Sequence, residues 1–407
     1  MKSILAVLAG LSLTLYACSA AGTQSNAPSS NDARVSGTHP KAQSGIPGTL
    51  PIEEIQKLLA NRESHTPFVP EAPLGLSGLG DFIPSDNPMT LAKVELGRQL
   101  YFDPRLSLDG TISCATCHHP ALGWTDNMPV SAGIEGQTGG RSAPTVLNRL
   151  LGKSQFWDGR AGTLEDQALG PIGNPIEMGF SPEQAVERLK GIEGYALQFR
   201  AVFGGAPTPD RLAKAIATFE RTVITGGAKN DYYEQALPFF EYEPEEGDEP
   251  EFLARMDRVL DLEKEHRMSD SAERGRELFF GKAQCSACHA GQDLSDEDFH
   301  NLGIGFENGE SADTGREQHT GRLEDRGKFR TPSVRSITSS APYMHDGSLK
   351  TLMEVVEHYD KGGTPNKWLS DKIFPLKLSV QEKQDLVAFM EDALSGEMPQ
   401  IEVPRLP

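Results

Sequence analysis

Cys114-Ala115-Thr116-Cys117-His118 is one of two C-x-x-C-H motifs in the chain, and Cys285-Ser286-Ala287-Cys288-His289 is the other. Two thiols at this spacing can form thioethers with the two vinyl groups of one porphyrin. The histidine that follows lies under the ring, where its imidazole can bind iron. The sequence therefore predicts two covalent haem c groups, one held by Cys114, Cys117 and His118 and one by Cys285, Cys288 and His289.

Two other uses of paired cysteines fit the sequence less well. A thioredoxin-type redox pair needs a strand followed by a helix, which the flanking residues do not suggest, and no histidine after the second cysteine. A four-cysteine zinc site usually has its pairs about 15–20 residues apart. Cys117 and Cys285 are separated by far more than that. The repetition of the whole motif in one chain favours haem.

The composition excludes several classes of protein. Of the 407 residues, 37% are hydrophobic and 24% are charged, which is typical of packed domains and not of disordered chains. The length predicts two or three domains. A net charge of −19 and a pI near 5.0 argue against nucleic-acid binding, and an acidic surface favours a basic protein partner.

The N-terminus has the pattern of an export signal. Lys2 precedes an apolar run that is too short to span a bilayer, so residues 1–17 are predicted to be a signal peptide. Residues 15–18 resemble a bacterial lipobox, which predicts a lipid anchor at Cys18 on the periplasmic side of a Gram-negative bacterium. Secretion without lipidation is the alternative, because Tyr16 is bulkier than the usual residue. Residues 18–50 are rich in Ser, Gly, Asn and Pro and are predicted to be a flexible tether.

The two C-x-x-C-H motifs lie in a degenerate internal repeat. Residues 95–102 and 273–280 both place apolar side chains at helical spacing just before a motif. Further helical patterns cover residues 182–190, 209–225, 252–266, 349–360 and 379–394, and strand-like alternation is scarce. The acidic, Pro-containing segment 241–251 is interpreted as an inter-domain loop. These features predict a mainly α fold with long ordered loops around two haems.

Several motifs between and after the haem units carry a family resemblance. They include Trp157-Asp158-Gly159-Arg160, Asn174-Pro175-Ile176-Glu177-Met178-Gly179, Lys328-Phe329-Arg330-Thr331-Pro332-Ser333 and Pro342-Tyr343-Met344-His345-Asp346-Gly347. In this order they resemble the bacterial di-haem cytochrome c peroxidase and MauG superfamily, over residues 87–395. The resemblance implies two cytochrome c-like domains, which we place at residues 51–265 (N-terminal, peroxidatic) and 266–396 (C-terminal, electron relay), with a tail at 397–407.

The resemblance also implies roles for individual residues. His118 would be the proximal ligand of the haem that reacts with H2O2, and His289 that of the electron-relaying haem. Glu177 matches the distal acid/base, which O–O cleavage requires because one peroxide oxygen loses a proton and the other gains it. Gln167 matches a residue that orients peroxide, and Trp157 matches the tryptophan between the haems. Their alternatives are a solvated glutamate, a helix-surface amide and a core tryptophan.

Two departures from the typical peroxidase pattern are informative. Ile134 stands where a histidine usually blocks the resting peroxidatic haem, which predicts that this haem has an open site. Tyr359 stands where the second haem usually has a methionine, and MauG-type enzymes have a tyrosine there. A phenolate ligand lowers the potential of iron, which favours storing oxidising equivalents. Periodicity places Tyr359 on the apolar face of its helix and His358 off it. Periodicity alone would equally fit Tyr359 as a core tyrosine. Met344 is the alternative ligand, and His300 and His345 are expected to support the ligands or to pack the loops.

The resemblance further implies a Ca2+ between the domains. The matching positions are Ser142, where the family has an asparagine, and the carbonyls of Ser340 and Pro342. The acidic residues of 293–298 are interpreted instead as a solvated loop.

Taken as a whole, the resemblance implies a periplasmic di-haem peroxidase of MauG type that uses H2O2 to oxidise a protein or a small reductant. The alternatives are a conventional peroxidase that takes electrons from a small cytochrome c, and a non-catalytic di-haem electron-transfer protein. The sequence does not identify the electron donor.

Overall fold

The structure is a computed structural model that describes residues 48–407. The predicted signal peptide, the proposed anchor at Cys18 and most of the predicted tether lie outside these residues. Across the described range, none of the helices combines the length and the apolar character that crossing a bilayer requires.

The described chain is mostly helical, as the sequence predicts. The α-helices are α1 (Ile52–Ala60), α2 (Leu91–Phe102), α3 (Cys114–Cys117), α4 (Leu164–Gly173), α5 (Pro182–Lys190), α6 (Glu193–Phe203), α7 (Pro209–Glu220), α8 (Lys229–Ala236), α9 (Pro250–Glu265), α10 (Asp270–Phe280), α11 (Glu317–Thr320), α12 (Leu352–Asp360) and α13 (Val380–Asp392). Four short strands form two antiparallel pairs, in which β1 (Phe299–Asn301) pairs with β4 (Lys328–Arg330) and β2 (Phe306–Glu307) pairs with β3 (Glu310–Ser311).

Local signals explain where the helices begin. A serine or threonine precedes α2, α5, α7 and α13, and in each case its hydroxyl accepts a hydrogen bond from a backbone N–H of the first turn. In α5, Ser181 and Gln184 form a reciprocal capping box and Pro182 occupies the first helical position. The bounds predicted for this helix are confirmed, and the other predicted helices are confirmed to within a few residues.

The internal repeat appears as two equivalent helix crossings. A Cβ added at Gly97 in α2 would lie 2.0 Å from the carbonyl oxygen of Ala215 in α7. A Cβ added at Gly275 in α10 would lie 1.9 Å from the carbonyl oxygen of Asp385 in α13. Only glycine permits this approach of two backbones. The helix before each C-x-x-C-H motif therefore packs in the same way against a later helix.

Two separate hydrophobic clusters surround these crossings. The first lies among α2 and α4–α7, with Leu96, Tyr101 and Phe219 fully buried. The second lies among α10, α12 and α13, with Phe279, Leu386 and Phe389 buried. This separation favours the two predicted haem domains.

Helix α8 packs on the second cluster, although the predicted boundary assigns it to the first domain. Asn230 N donates to Ala393 O at 3.0 Å, and Lys229 forms an ion pair with Asp392. Arg276 of α10 donates to the Asn230 side chain. These contacts favour a boundary near residue 227 rather than 265.

The predicted tail packs on the first half. Leu406 is buried, Leu50 N donates to Leu406 O at 2.8 Å, and Arg105 donates to Pro407 O at 2.9 Å. Residues 48–50, which were predicted to end the tether, therefore belong to the packed body together with the last residues of the chain.

Candidate active site

Nδ1 of each motif histidine lies beside a backbone carbonyl oxygen, and His289 also lines a cavity. Nδ1 of His118 lies 3.3 Å from the carbonyl oxygen of Trp124, and Nδ1 of His289 lies 3.0 Å from that of Leu294. Burial lowers the pKa of both imidazoles, so both are neutral at pH 7. A neutral imidazole with a fixed Nδ1–H offers Nε2 as a metal ligand.

The four motif cysteines form no disulfide. Burial raises the pKa of Cys117 and Cys285 to about 12, and it raises the pKa of Cys114 and Cys288 as well. A thiol that stays protonated is a poor thiolate ligand and a poor redox nucleophile. These environments disfavour the redox-pair interpretation.

A large, mainly apolar cavity adjoins the second motif. Its walls contain Cys285, Cys288 and His289, and the residues facing them include Tyr359, Trp157 and Met344. Two cysteines and a neutral imidazole bordering an apolar cavity fit a covalently attached haem.

The cavity beside the second motif, called the second cavity below, is lined by some of the candidate axial ligands and not by others. Tyr359 lines it, and burial raises the pKa of the phenol, with a smaller contribution from the nearby Cys285 and Cys288. Nε2 of His358 lies instead 2.9 Å from Leu302 O, so that imidazole is engaged away from the cavity. Met344 also lines the cavity and has a positive φ of 74°. Tyr359 and Met344 thus remain the two candidates.

Trp157 is held at the wall of this cavity by two hydrogen bonds. Its Nε1 donates to Ser142 O at 2.8 Å, and its carbonyl oxygen accepts from Arg330 N at 2.7 Å. The indole is therefore fixed in orientation beside the second haem cavity.

Glu177 lies near the first motif. Burial raises the pKa of its carboxyl group, while Arg160 and a 2.8 Å hydrogen bond from Asn174 Nδ2 oppose that shift. The carboxylate is close enough to Cys114 and Cys117 to raise the pKa of both thiols. The loop that carries Glu177 is bonded to α4, the helix that carries the half-buried Gln167, because Met178 N donates to Pro171 O.

Ile134 packs against the loop of Glu177. Its N–H donates to Glu177 O at 2.9 Å, and a Cβ added at Gly179 would lie 2.3 Å from Ile134 Cδ1. An apolar side chain that cannot bind iron therefore occupies this position beside the candidate acid/base.

The three candidate calcium residues all border the second cavity. Ser142 is buried, its carbonyl accepts from Trp157, and its N–H donates to His345 O at 2.7 Å. Ser340 Oγ donates to Ile337 O at 3.2 Å. His345 stacks on Phe329 and His300 binds Asp296, which agrees with the packing roles expected for both histidines.

The interpretation of residues 293–298 as a solvated loop is wrong for two members. Asp293 and Glu297 are buried: Glu297 accepts hydrogen bonds from Arg149 and Arg330, and Asp293 accepts one from Asn148. These two arginines line the second cavity. Nothing in the local sequence around Arg149 or Arg330 marks their charges as buried, so the sequence does not predict a role for them.

Comparisons with known proteins place the chain in a family. Residues 91–236 match the family described as di-haem cytochrome c peroxidase. Methylamine utilization protein MauG of Methylorubrum extorquens is 41% identical over 326 residues, covering 80% of this chain and 84% of that protein. The chain belongs to the di-haem cytochrome c peroxidase family.

Membership of this family makes the chain an oxidoreductase of the peroxidase class and implies two haem c cofactors. Cytochrome-c peroxidase IdrP1 of a Pseudomonas strain is 35% identical over 367 residues, covering 83% of this chain and 88% of that protein. A crystal structure of a MauG-like protein associated with microbial copper homeostasis is 31% identical, with a TM-score of 0.66, covering 82% of this chain and 95% of that one. Relatives in this family are thus named both as MauG and as cytochrome c peroxidase.

Proposed function

We propose that this family member is a di-haem peroxidase of MauG type, which uses H2O2 to oxidise a protein or a small reductant. The observation that carries the proposal is the contrast between its two sites. Tyr359 borders the cavity of Cys285, Cys288 and His289, while Ile134 stands beside Glu177 at the first site. One haem would then have an oxygen ligand and the other an open position.

The chain's own residues supply the proton chemistry at the first site. When bound, haem supplies an iron that takes up peroxide and the electrons for its reduction. The Glu177 carboxylate accepts the proton of one peroxide oxygen and returns it to the other, so that the O–O bond breaks and water leaves. The hydrogen bond from Asn174 holds this carboxylate in place.

Trp157 is the proposed electron path between the two sites. It borders the second cavity, and its indole is fixed by the Ser142 carbonyl. The proposed Ca2+ would lie on the same side, bound by Ser142 and by the carbonyls of Ser340 and Pro342. Removal of calcium by a chelator is expected to change the haem spectrum.

We further propose that the protein acts in the periplasm of a Gram-negative bacterium. The export signal, the lipobox at Cys18 and the two C-x-x-C-H motifs support this location. Metabolic labelling with a radioactive fatty acid, compared with a Cys18→Ala variant, tests the anchor.

Electron paramagnetic resonance of the purified ferric enzyme tests the proposal. We expect one high-spin haem, with its open site, and one low-spin haem. Two low-spin haems would contradict it, because both irons would then have strong axial ligands on both faces and neither would have an open site.

A conventional cytochrome c peroxidase is the second candidate, because relatives such as IdrP1 carry that name. Turnover of H2O2 with a reduced small cytochrome c separates the two functions. Fast turnover would favour the conventional peroxidase, and slow turnover together with a rapid spectral response to peroxide would favour the MauG type.

A further inference from the structure

Residues 361–377 form a loop with an unusual charge for this protein. The segment contains Lys361, Lys367, Lys372 and Lys377 but a single acidic residue, Asp371. Its formal charge is therefore +3, in a chain whose net charge is −19. We refer to residues 361–377 as the lysine loop.

The lysine loop folds back on itself, so its charges lie on one small surface. Leu376 N donates to Asp360 O at 3.1 Å, which brings the end of the loop to its start. A Cβ added at Gly362 would lie 2.8 Å from Pro375, and one added at Gly363 would lie 3.0 Å from Ile373. This closure places Lys361 and Lys377 at the same end of the loop.

Most of these lysines are free of acidic partners. Lys361, Lys367 and Lys377 are exposed, and none of them forms an ion pair with another residue in 48–407. Of the nearby carboxylates, Asp360 pairs with Lys383 outside the loop, whereas Asp296 pairs with His300 and with Lys372, the one lysine of the loop that has an acidic partner. Asp371 within the loop and Glu357 at the end of α12 are exposed and carry negative charge close to it in the sequence.

The same loop closes the cavity of the second haem site. Lys372, Ile373, Phe374 and Leu376 all line that cavity. Phe374 is nevertheless 39% exposed, so its ring connects the cavity to the protein surface. Lys372 donates to Ala287 O, within the second C-x-x-C-H motif. An exposed apolar side chain thus lies at the mouth of the relay site, in the same loop as three exposed lysines that form no ion pair within residues 48–407.

We propose that the lysine loop is the docking surface for the protein that exchanges electrons with this enzyme, and that this partner presents an acidic rim around an apolar centre. This docking surface rests on the proposed function, and it adds the chemical character of the protein that exchanges electrons with the enzyme. It reverses the expectation of a basic partner that the net charge suggests. The acidic segment 241–251 lines no part of the second cavity, whereas the lysine loop does.

Charge reversal on the holoenzyme tests the docking surface. The variant is Lys367→Glu/Lys377→Glu, and the control is Lys57→Glu/Lys190→Glu, which makes the same charge change on α1 and α5 of the first half. The probes are reduced plant plastocyanin, a small acidic protein, and reduced mitochondrial cytochrome c, a small basic one. The measurements are the rate of probe oxidation after addition of H2O2 and the dissociation constant without H2O2.

We expect the plastocyanin rate of the loop variant to fall about tenfold or more at low salt, because electrostatic steering raises association rates by about 10–10³. The difference should vanish at about 0.5 M salt, where the charges are screened. The control variant should match the wild type. Cytochrome c should react no more slowly with the loop variant than with the wild type.

An unchanged plastocyanin rate and affinity in the loop variant would overturn the proposal, as would an equal loss in the control variant. The spectral response to H2O2 is recorded separately for each protein. A wild type that does not respond to H2O2 refutes the proposed function, while the dissociation constants still test the docking surface.

Discussion

At the scale of single residues, two consecutive residues of α12 differ in whether they line the second cavity. Tyr359 lines the second cavity, whereas His358 does not, and its Nε2 lies 2.9 Å from the Leu302 carbonyl oxygen. Helical periodicity predicts this difference, because the apolar face of α12 continues through Tyr359 and not through His358. The imidazole of His358, although it is intrinsically the better metal ligand, therefore does not line the cavity.

Replacement of Tyr359 tests its proposed role. If the phenolate binds the second iron, Tyr359→Phe should convert the low-spin signal to high spin, because phenylalanine offers no donor. Electron paramagnetic resonance of the ferric protein measures the change. His358→Gln is the matched control and should keep the low-spin signal. A low-spin signal retained in Tyr359→Phe would assign the ligand to another residue, with Met344 the first candidate.

Replacement of Glu177 tests the proton transfer. Glu177→Gln should slow the reaction with H2O2 by about 10²–10⁴, because the amide cannot accept the proton. Stopped-flow absorbance measures this rate. Glu183→Gln, at an exposed position on α5, should leave it unchanged. Equal rates in wild type and Glu177→Gln would remove this residue from the mechanism.

The pH dependence of that rate follows from burial. Glu177 works as a carboxylate, and burial raises its pKa. As the pH falls through this raised pKa, the carboxylate becomes protonated and the rate should decline. The decline should begin at a higher pH than for an exposed glutamate, and the residual rate of Glu177→Gln should lack it.

At the scale of elements, the helices follow from local sequence and the buried charges do not. Ser181, Pro182 and Gln184 are sufficient to locate the start of α5, because a capping box acts within one turn. The burial of Glu297 depends instead on Arg149 and Arg330, and buried Asp293 accepts a hydrogen bond from Asn148; these partners are far away in the chain. No local pattern contains such long-range pairing, so these acidic residues resemble a solvated loop.

The buried carboxylate of Glu297 offers a stability test at this scale. It accepts from Arg149 at 2.8 Å and from Arg330 at 2.7 Å, and all three side chains are buried. Glu297→Gln should destabilise the fold by about 3–5 kcal/mol, since two buried cations lose their counter-charge. Denaturant unfolding measures the loss. Glu307→Gln, an exposed strand position, should change it little, and a similarly small effect for Glu297→Gln would contradict the argument.

At the scale of the whole molecule, the repeat of C-x-x-C-H predicts two halves, and the two separate clusters support this division. The sequence does not reveal which half receives α8 or the last residues. Residues 397–407 have no helical or strand periodicity, and their place depends on distant partners such as Leu50 and Arg105.

The contact of the last residues with the first half can be tested. Leu406 is 5% exposed, whereas Val403 is 39% exposed. Leu406→Ala should lower the free energy of unfolding by about 2–5 kcal/mol, as expected for a buried leucine. Val403→Ala should have a much smaller effect. Thermal unfolding compares the two, and equal effects would show that the segment is not docked in solution.

Because each half has its own glycine crossing, a single substitution can disrupt one half of the protein. Any side chain at Gly97 would separate α2 from α7, and any side chain at Gly275 would separate α10 from α13. Each pair of helices frames only one of the porphyrin sites. A substitution at one of these glycines should therefore yield a protein that carries a single haem. Such a variant would allow each iron to be studied alone.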